Sequence, residues 1–400
     1  MTRQQLRRAA LMAAVLTGAA GSLMAQETPA EFTAFRTPGW SFTPGVTFGA
    51  GWDSNVALSS APVDTPVAGD TLLVLQPTMQ IGYISKRTEV SGGYVGYVRR
   101  YKDLDQLNGV DHRGYFSVRR LATPRLSYSF SNEYAKLPTT DQLLLNGVPF
   151  SRMGTRLNAL AGGLEARLSK HTALSVRYEN TWVKFERQDT PAAGGSVNGV
   201  HTELTRHMNE RLTVAGEYGF RLADVNGMPR QVAFQQVGGA LHAKNGRDTT
   251  FTLAGGLAHL SNRAVDTRHV GPYVRAELTH ETVKATTGAS FERTFAPSFA
   301  IGASNRSKEL RGFVRMPLDR NRMYIQGTAS WRRTEPFDDV NVLNLDTILL
   351  RSSLGYATSR WLRLEGYYAF SRQDTRIAGG GINRHVAGTQ VVVLQPMRIH

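Results

Sequence analysis

Few folds can accommodate the rhythm of this chain. Eight short polar turns recur along it: Ser85–Thr88, Ala122–Arg125, Ser169–Thr172, Met208–Arg211, Lys244–Arg247, Thr279–Thr282, Leu318–Asn321 and Thr358–Trp361. Successive turns start roughly 35 to 47 residues apart, which is room for two membrane-spanning strands and an outer loop. Between turns the pattern is strand, longer polar or Gly-rich loop, strand. Short turns at one end and long loops at the other predict an antiparallel, up-and-down transmembrane β-barrel with the turns facing the periplasm. Strands on either side of eight turns give about 18, or 16 with one hairpin fewer, and barrels of that size are wide enough for an aqueous channel.

Each strand-like stretch alternates with a period of two, whereas a helix would repeat near 3.6. Val46, Phe48, Ala50 and Trp52 share one face of the first stretch, which begins near Pro44. Leu126, Tyr128 and Phe130 alternate with serines, and Leu212, Val214, Gly216, Tyr218 and Phe220 alternate with Thr213, Glu217 and Arg221. Val214 and Leu364 represent the apolar, lipid-facing set, with Ala215 and Ala369 as their inward neighbours. A soluble sandwich also alternates, but its strands average only about five or six residues. Here the stretches are longer, the apolar face is rich in Gly and Ala, and the polar face mixes Arg with Glu. Tyr101, Tyr134, Trp182, Phe295, Trp331 and Trp361 lie near strand ends, where interfacial girdles form.

The expected organisation is a signal peptide at 1–25, a periplasmic lead at 26–43 and a barrel at 44–400. Arg3, Arg7 and Arg8 form a basic start, an apolar run extends from Ala9 to Met24, and Ala25 suits cleavage. No later apolar run is long enough for a spanning helix, so any span is built from strands. The chain contains no cysteine, which excludes disulfides and cysteine metal sites. Its formal charge is +15. The arginines are scattered rather than blocked, which argues against nucleic acid and for lipopolysaccharide phosphates or acidic passengers.

Catalytic and cofactor motifs are missing. There is no HExxH, phosphate-binding loop, dinucleotide fingerprint or Gly-x-Ser-x-Gly elbow, and His201 with His207 lacks a third ligand. Neither a cofactor nor a metal is expected. The residues that stand out are ionisable and sit on the inferred lumen face. The basic set is Arg99, Arg113, Arg119, Arg177, Arg221, Arg275, Arg311, Arg315, Arg332, Arg351 and Arg363. Glu179, Glu217, Glu277 and Glu365 are interleaved with them, as are Glu133, Glu165 and Glu292. Such a wall is either a salt-bridged scaffold or a net-basic conduit for anionic or sugar-rich passengers. The stretch from Leu137 to Met153 is apolar for a loop, with Leu143–Leu145 and Val148–Phe150. It either folds into the lumen or extends its two strands above the membrane.

The opening Gly49–Val56, the following Asp70–Pro77 and the closing Asn383–Gly388 resemble the β-barrel porins of bacterial exopolysaccharide operons. The resemblance implies an outer-membrane barrel that assists polysaccharide export or surface assembly, with a polysaccharide passenger and periplasmic export proteins as partners. The chain departs from that pattern in ending Pro396–His400 rather than on an aromatic residue. A passive porin for small anionic solutes is the alternative reading. An outer-membrane enzyme acting on lipid or polysaccharide is a third, for which no nucleophile–base pair is evident.

Overall fold

A computed structural model describes residues 38–399, apart from 61–67, 141–147, 149, 187–193, 227–230, 263–266, 300–302, 320–321, 338–343 and 376–380. The leader, and with it the expected signal peptide, lies outside the described residues. The strands are β1 (Gly39–Asp53), β2 (Asp70–Ile84), β3 (Thr88–Tyr101), β4 (Gly109–Thr123), β5 (Leu126–Leu137), β6 (Thr155–Arg167), β7 (Thr172–Phe185), β8 (Gly195–His207) and β9 (Leu212–Val225). They continue as β10 (Val232–Asn245), β11 (Thr249–Asn262), β12 (Thr267–Glu281), β13 (Thr286–Ser298), β14 (Ala303–Leu318), β15 (Met323–Pro336), β16 (Leu345–Ala357), β17 (Leu362–Thr375), β18 (Ile382–Leu394) and the short β19 (Met397–Ile399). From β1 to β18 each strand pairs antiparallel with the next, and β1 pairs with β18 from Gly45↔Leu394 to Asp53↔Val386. The ring closes at 18 strands, with β19 continuing the β18 edge against Trp40–Phe42. The first strand begins at Gly39 rather than near Pro44, because β2 and β19 supply ladder partners for residues 39–43.

The turns form for a local reason. In six of the eight, one Ser, Thr or Asn side chain accepts backbone N–H groups two and three residues on: Ser85, Thr123, Ser169, Asn209, Thr282 and Ser359. That bonding satisfies amides the ladder cannot reach and fixes the reversal. The sixth turn sits three residues later than its polarity suggests. Thr279, His280 and Glu281 belong to β12, and Thr282 caps a tip carrying the almost fully exposed Val283.

Alternation sorts the side chains. Phe48, Trp52, Leu73, Met79, Phe130, Leu164, Tyr178, Val237, Leu257, Leu310 and Leu350 are exposed large apolar groups on the outward parity. On a water-soluble protein such a continuous apolar belt would be anomalous; around a closed barrel it faces lipid. The architecture is that of a bacterial outer-membrane barrel. Tyr134, Trp182, Trp331 and Trp361 are exposed at the positions of interfacial girdles; Tyr101 is buried because it falls on the inward side of β3, and Phe295, on the lipid parity of β13, is buried because that strand end leans into the barrel. Val214 and Leu364 do point outward, but each lies two residues from the turn end of its strand. An Arg there would cost only about 0–1 kcal/mol, because charge is tolerated near the interface.

Inside, aromatic rings lie flat on glycines of neighbouring strands. Tyr273 covers Gly256 and Gly238 and hydrogen-bonds Glu217 on β9; Tyr324 covers Gly355 and donates to Glu365 at 3.0 Å. A ring fills the missing side chain and stiffens the wall. Gly355→Val should therefore displace Tyr324 and lower stability by about 1–3 kcal/mol. A drop in the temperature at which the folded gel band disappears, larger than for Gly366→Val in an open site, would register it.

Candidate functional site

The register puts the eleven arginines singled out above, with Glu179, Glu217, Glu277 and Glu365, on the parity opposite the lipid belt. Arg99, Arg113 and Arg119 stand on β3 and β4, Arg177 and Glu179 on β7, Arg221 and Glu217 on β9, and Arg275 and Glu277 on β12. Arg311 and Arg315 follow on β14, Arg332 on β15, Arg351 on β16, and Arg363 and Glu365 on β17. Contacts between strands that are not neighbours run through the interior. Tyr273 and Arg275 on β12 reach Glu217 on β9, Arg275 at 3.4 Å, and His242 on β10 meets Glu203 on β8 at 3.3 Å.

Most of these guanidiniums have a carboxylate or other polar partner in the wall. Arg99 meets Asp111 at 2.6 Å, Arg119 meets Glu165 at 3.5 Å and Arg177 meets Glu179 at 2.8 Å. Arg311 and Arg332 share the single carboxylate of Glu309. Arg363 donates to the Tyr324 hydroxyl at 3.3 Å, and Arg221 donates to the Phe295 carbonyl at 2.9 Å. Arg315 and Arg351 form no ion pair with a described residue. Their strands flank β15, where Arg315 faces Gln326 and Arg351 faces Thr328. Two strand spacings separate them, roughly 10 Å. Counted from Leu318, Ala357 and Met323, the turn-end residues of their strands, Arg315, Arg351, Arg311 and Arg332 rise in that order. They form a basic stair on three consecutive strands with one carboxylate within it.

The wall as a whole is nearer to neutral than the arginine count suggests. The reading from sequence left out Asp53, Asp111 and Glu203, all buried and on the inward parity. Asp111 could have been found, because it alternates with Val110 and His112. Asp53, the last residue of β1, is not free at the mouth of the following loop. It instead receives a two-pronged contact from Arg384, at 3.0 and 2.7 Å, which locks the β1–β18 closure at the loop end. His201 lies 4.0 Å from Glu217, and His207 bonds Thr213.

The loop end is strapped. The described part of the β5–β6 loop turns into the barrel, so the folding-in alternative holds; Leu143–Leu145 and Pro149 lie outside the described residues. Val148, Phe150 and Met153 are buried, and Val148 and Met153 join Leu137, Leu157, Val183, Phe185, Val225, Val232, Phe234, Leu260, Phe295 and Phe299 in one apolar cluster. Gln373 on β17 accepts from the Phe150 amide at 2.6 Å and donates to the Val148 carbonyl at 3.2 Å and the Thr347 hydroxyl at 3.1 Å. Arg152 donates to the Val56 carbonyl at 2.8 Å and the Leu107 carbonyl at 3.3 Å, with its guanidinium 5.4 Å from the Tyr101 ring centre. Burial holds the Arg152 pKa below its usual range. The loop thus ties the β5–β13 side to β16–β17 and to the loops beside β1 and β3.

No family model matches the sequence, and no curated protein matches it. Solved structures with a similar shape include OccAB4 of Acinetobacter baumannii, with 8% identity over 90% of this chain and 99% of that one and a TM-score of 0.46. The outer membrane protein OpdK from Pseudomonas aeruginosa has 10% identity over 89% of this chain and 99% of that one, with a TM-score of 0.44. OccK2 (OpdF) of the same organism, solved in complex with glucuronate, has 10% identity over 90% and 98%, with a TM-score of 0.43. Likenesses this remote carry no argument about a passenger. The resemblance to exopolysaccharide-operon porins gains no support from any of these comparisons.

Proposed function

We propose that this barrel is an outer-membrane channel for small anionic solutes, gated at its loop end. The observation that carries the proposal is the basic stair of Arg315, Arg351, Arg311 and Arg332. Two of its members have no carboxylate partner among the described residues, and the other two share one. Fixed charge in a confined pore selects the passing ion, and planar guanidiniums suit carboxylate and phosphate groups. Export of a polymer fits less well, because the strap and the apolar cluster occupy the outer lumen where a polysaccharide lane would run.

The stair predicts an unequal effect. Replacing Arg315 and Arg351 together by Gln should remove most of the anion preference measured as zero-current potential across a planar bilayer. Replacing Arg119 and Arg177, each already paired with a carboxylate, should leave that preference or raise the cation share only slightly. Preference should also weaken with salt, as the Debye length falls from about 10 Å at 0.1 M to about 3 Å at 1 M. An unchanged potential in the Arg315→Gln/Arg351→Gln channel would refute the assignment.

A further inference from the structure

We infer that the seam between β12 and β13 is a lateral portal, through which a small aromatic molecule carrying one hydrogen-bonding group passes between the outer leaflet and a buried apolar cluster inside the barrel. This reading goes beyond the anion lane and does not depend on it.

The wall is incomplete at this seam. Strands β12 and β13 pair from Glu281↔Thr286 only as far as Val274↔Arg293. On its other side β12 pairs with β11 up to Thr267. Residues 267–273 therefore have a ladder on one edge only, the longest such stretch among the described strands. Above Arg293, β13 leaves the wall. Thr294, Phe295, Ala296 and Ser298 are buried, and this end of the hairpin stays paired with β14 while Arg221, on β9, holds the Phe295 carbonyl from across the lumen. Pro272 and Pro297 flank the gap and have no amide proton to donate across it, as suits an edge. Residues 270 and 274 lie eleven and seven positions above Glu281, roughly 17 to 27 Å up a tilted strand, which is the outer part of the apolar band.

Among the described residues, only side chains shut the gap. The Phe295 ring lies against Gly271, where an added Cβ would meet its Cζ at 2.8 Å. Phe337 meets Phe295 edge-on at 4.8 Å and stacks on His269 at 4.4 Å. The His269 Nε2 is buried without a hydrogen-bond partner among the described residues. Outside, Val270 is 67% exposed toward lipid. Inside lies the apolar cluster with Leu260, Phe234 and Phe299. An aromatic shutter with one unsatisfied ring nitrogen, between lipid and a buried apolar cluster, suits an aromatic body with a single polar group.

The test uses a bilayer-partitioned aryl diazirine on the full barrel in proteoliposomes, with labelled residues identified by mass spectrometry. Wild type should be labelled at the cluster residues Leu260 and Phe299 as well as at outward Leu257. The chain has no cysteine, so His269→Cys/Phe337→Cys can be bridged selectively after folding by a short bifunctional thiol reagent. Bridging should reduce cluster labelling at least fivefold relative to the unbridged double variant and leave Leu257 unchanged. Phe295→Ala should increase cluster labelling. An unlabelled wild-type cluster, or cluster labelling insensitive to the bridge, overturns the portal. Because chloride selectivity is not read in this assay, its result stands apart from that of the anion lane.

Discussion

Loosening the strap should open the barrel. In Gln373→Leu/Arg152→Ala, the Phe150 amide and Val148 carbonyl lose their partner on β17, and the ties to Val56 and Leu107 are gone. Each buried backbone group left without a hydrogen bond costs about 1–3 kcal/mol, so the strapped arrangement loses its advantage over a swung-out loop. Single-channel conductance in planar bilayers should rise roughly fivefold or more over wild type, as expected when a constriction is removed from a water-filled pore. The wall ladders do not involve these side chains, so the folded gel band should survive. A variant that conducts no better than wild type would show that the strap does not occlude the lumen.

The second large effect contrasts two adjacent positions near the middle of β16. Leu350 is exposed on the lipid parity, and Leu349 points inward opposite Ser330 and Ser371. A one-residue step in a strand exchanges the two environments. Leu350→Arg should cost about 2–4 kcal/mol, because it sets a charge near the bilayer midplane. Leu349→Arg places the same charge in the lumen beside Arg351 and should cost far less. Folding into lipid vesicles followed by urea titration measures both. Equal losses would mean that the apolar belt does not meet lipid.

What could be read from the chain was local. The turn residues recur because each reversal needs its own side-chain acceptor, and the Ser169 and Ser359 turns carry the same device almost two hundred residues apart. Alternation of Leu310, Gly312, Val314 and Met316 with Glu309, Arg311 and Arg315 set the parity of β14 without knowledge of its neighbours. The rest depends on contacts between distant segments. Phe150 and Gln373 are 223 positions apart, so nothing near either residue announces the strap. Which guanidiniums are neutralised follows from the cross-strand register, and a count of arginines along single strands overlooks Asp111 and Asp53. The break between β12 and β13 was illegible for a related reason. Both strands alternate acceptably, and only the inward lean of the Thr294–Ser298 end shows that their ladder stops.

The most direct measurement is the zero-current potential of the Gln373→Leu/Arg152→Ala channel under a tenfold potassium chloride gradient, since this opens the lumen while keeping the stair intact. The account predicts a potential of the sign for chloride preference at low salt, shrinking as total salt rises and lost when Arg315 and Arg351 are also replaced by Gln. A potential of the opposite sign, or chloride preference that survives loss of both arginines, would contradict it.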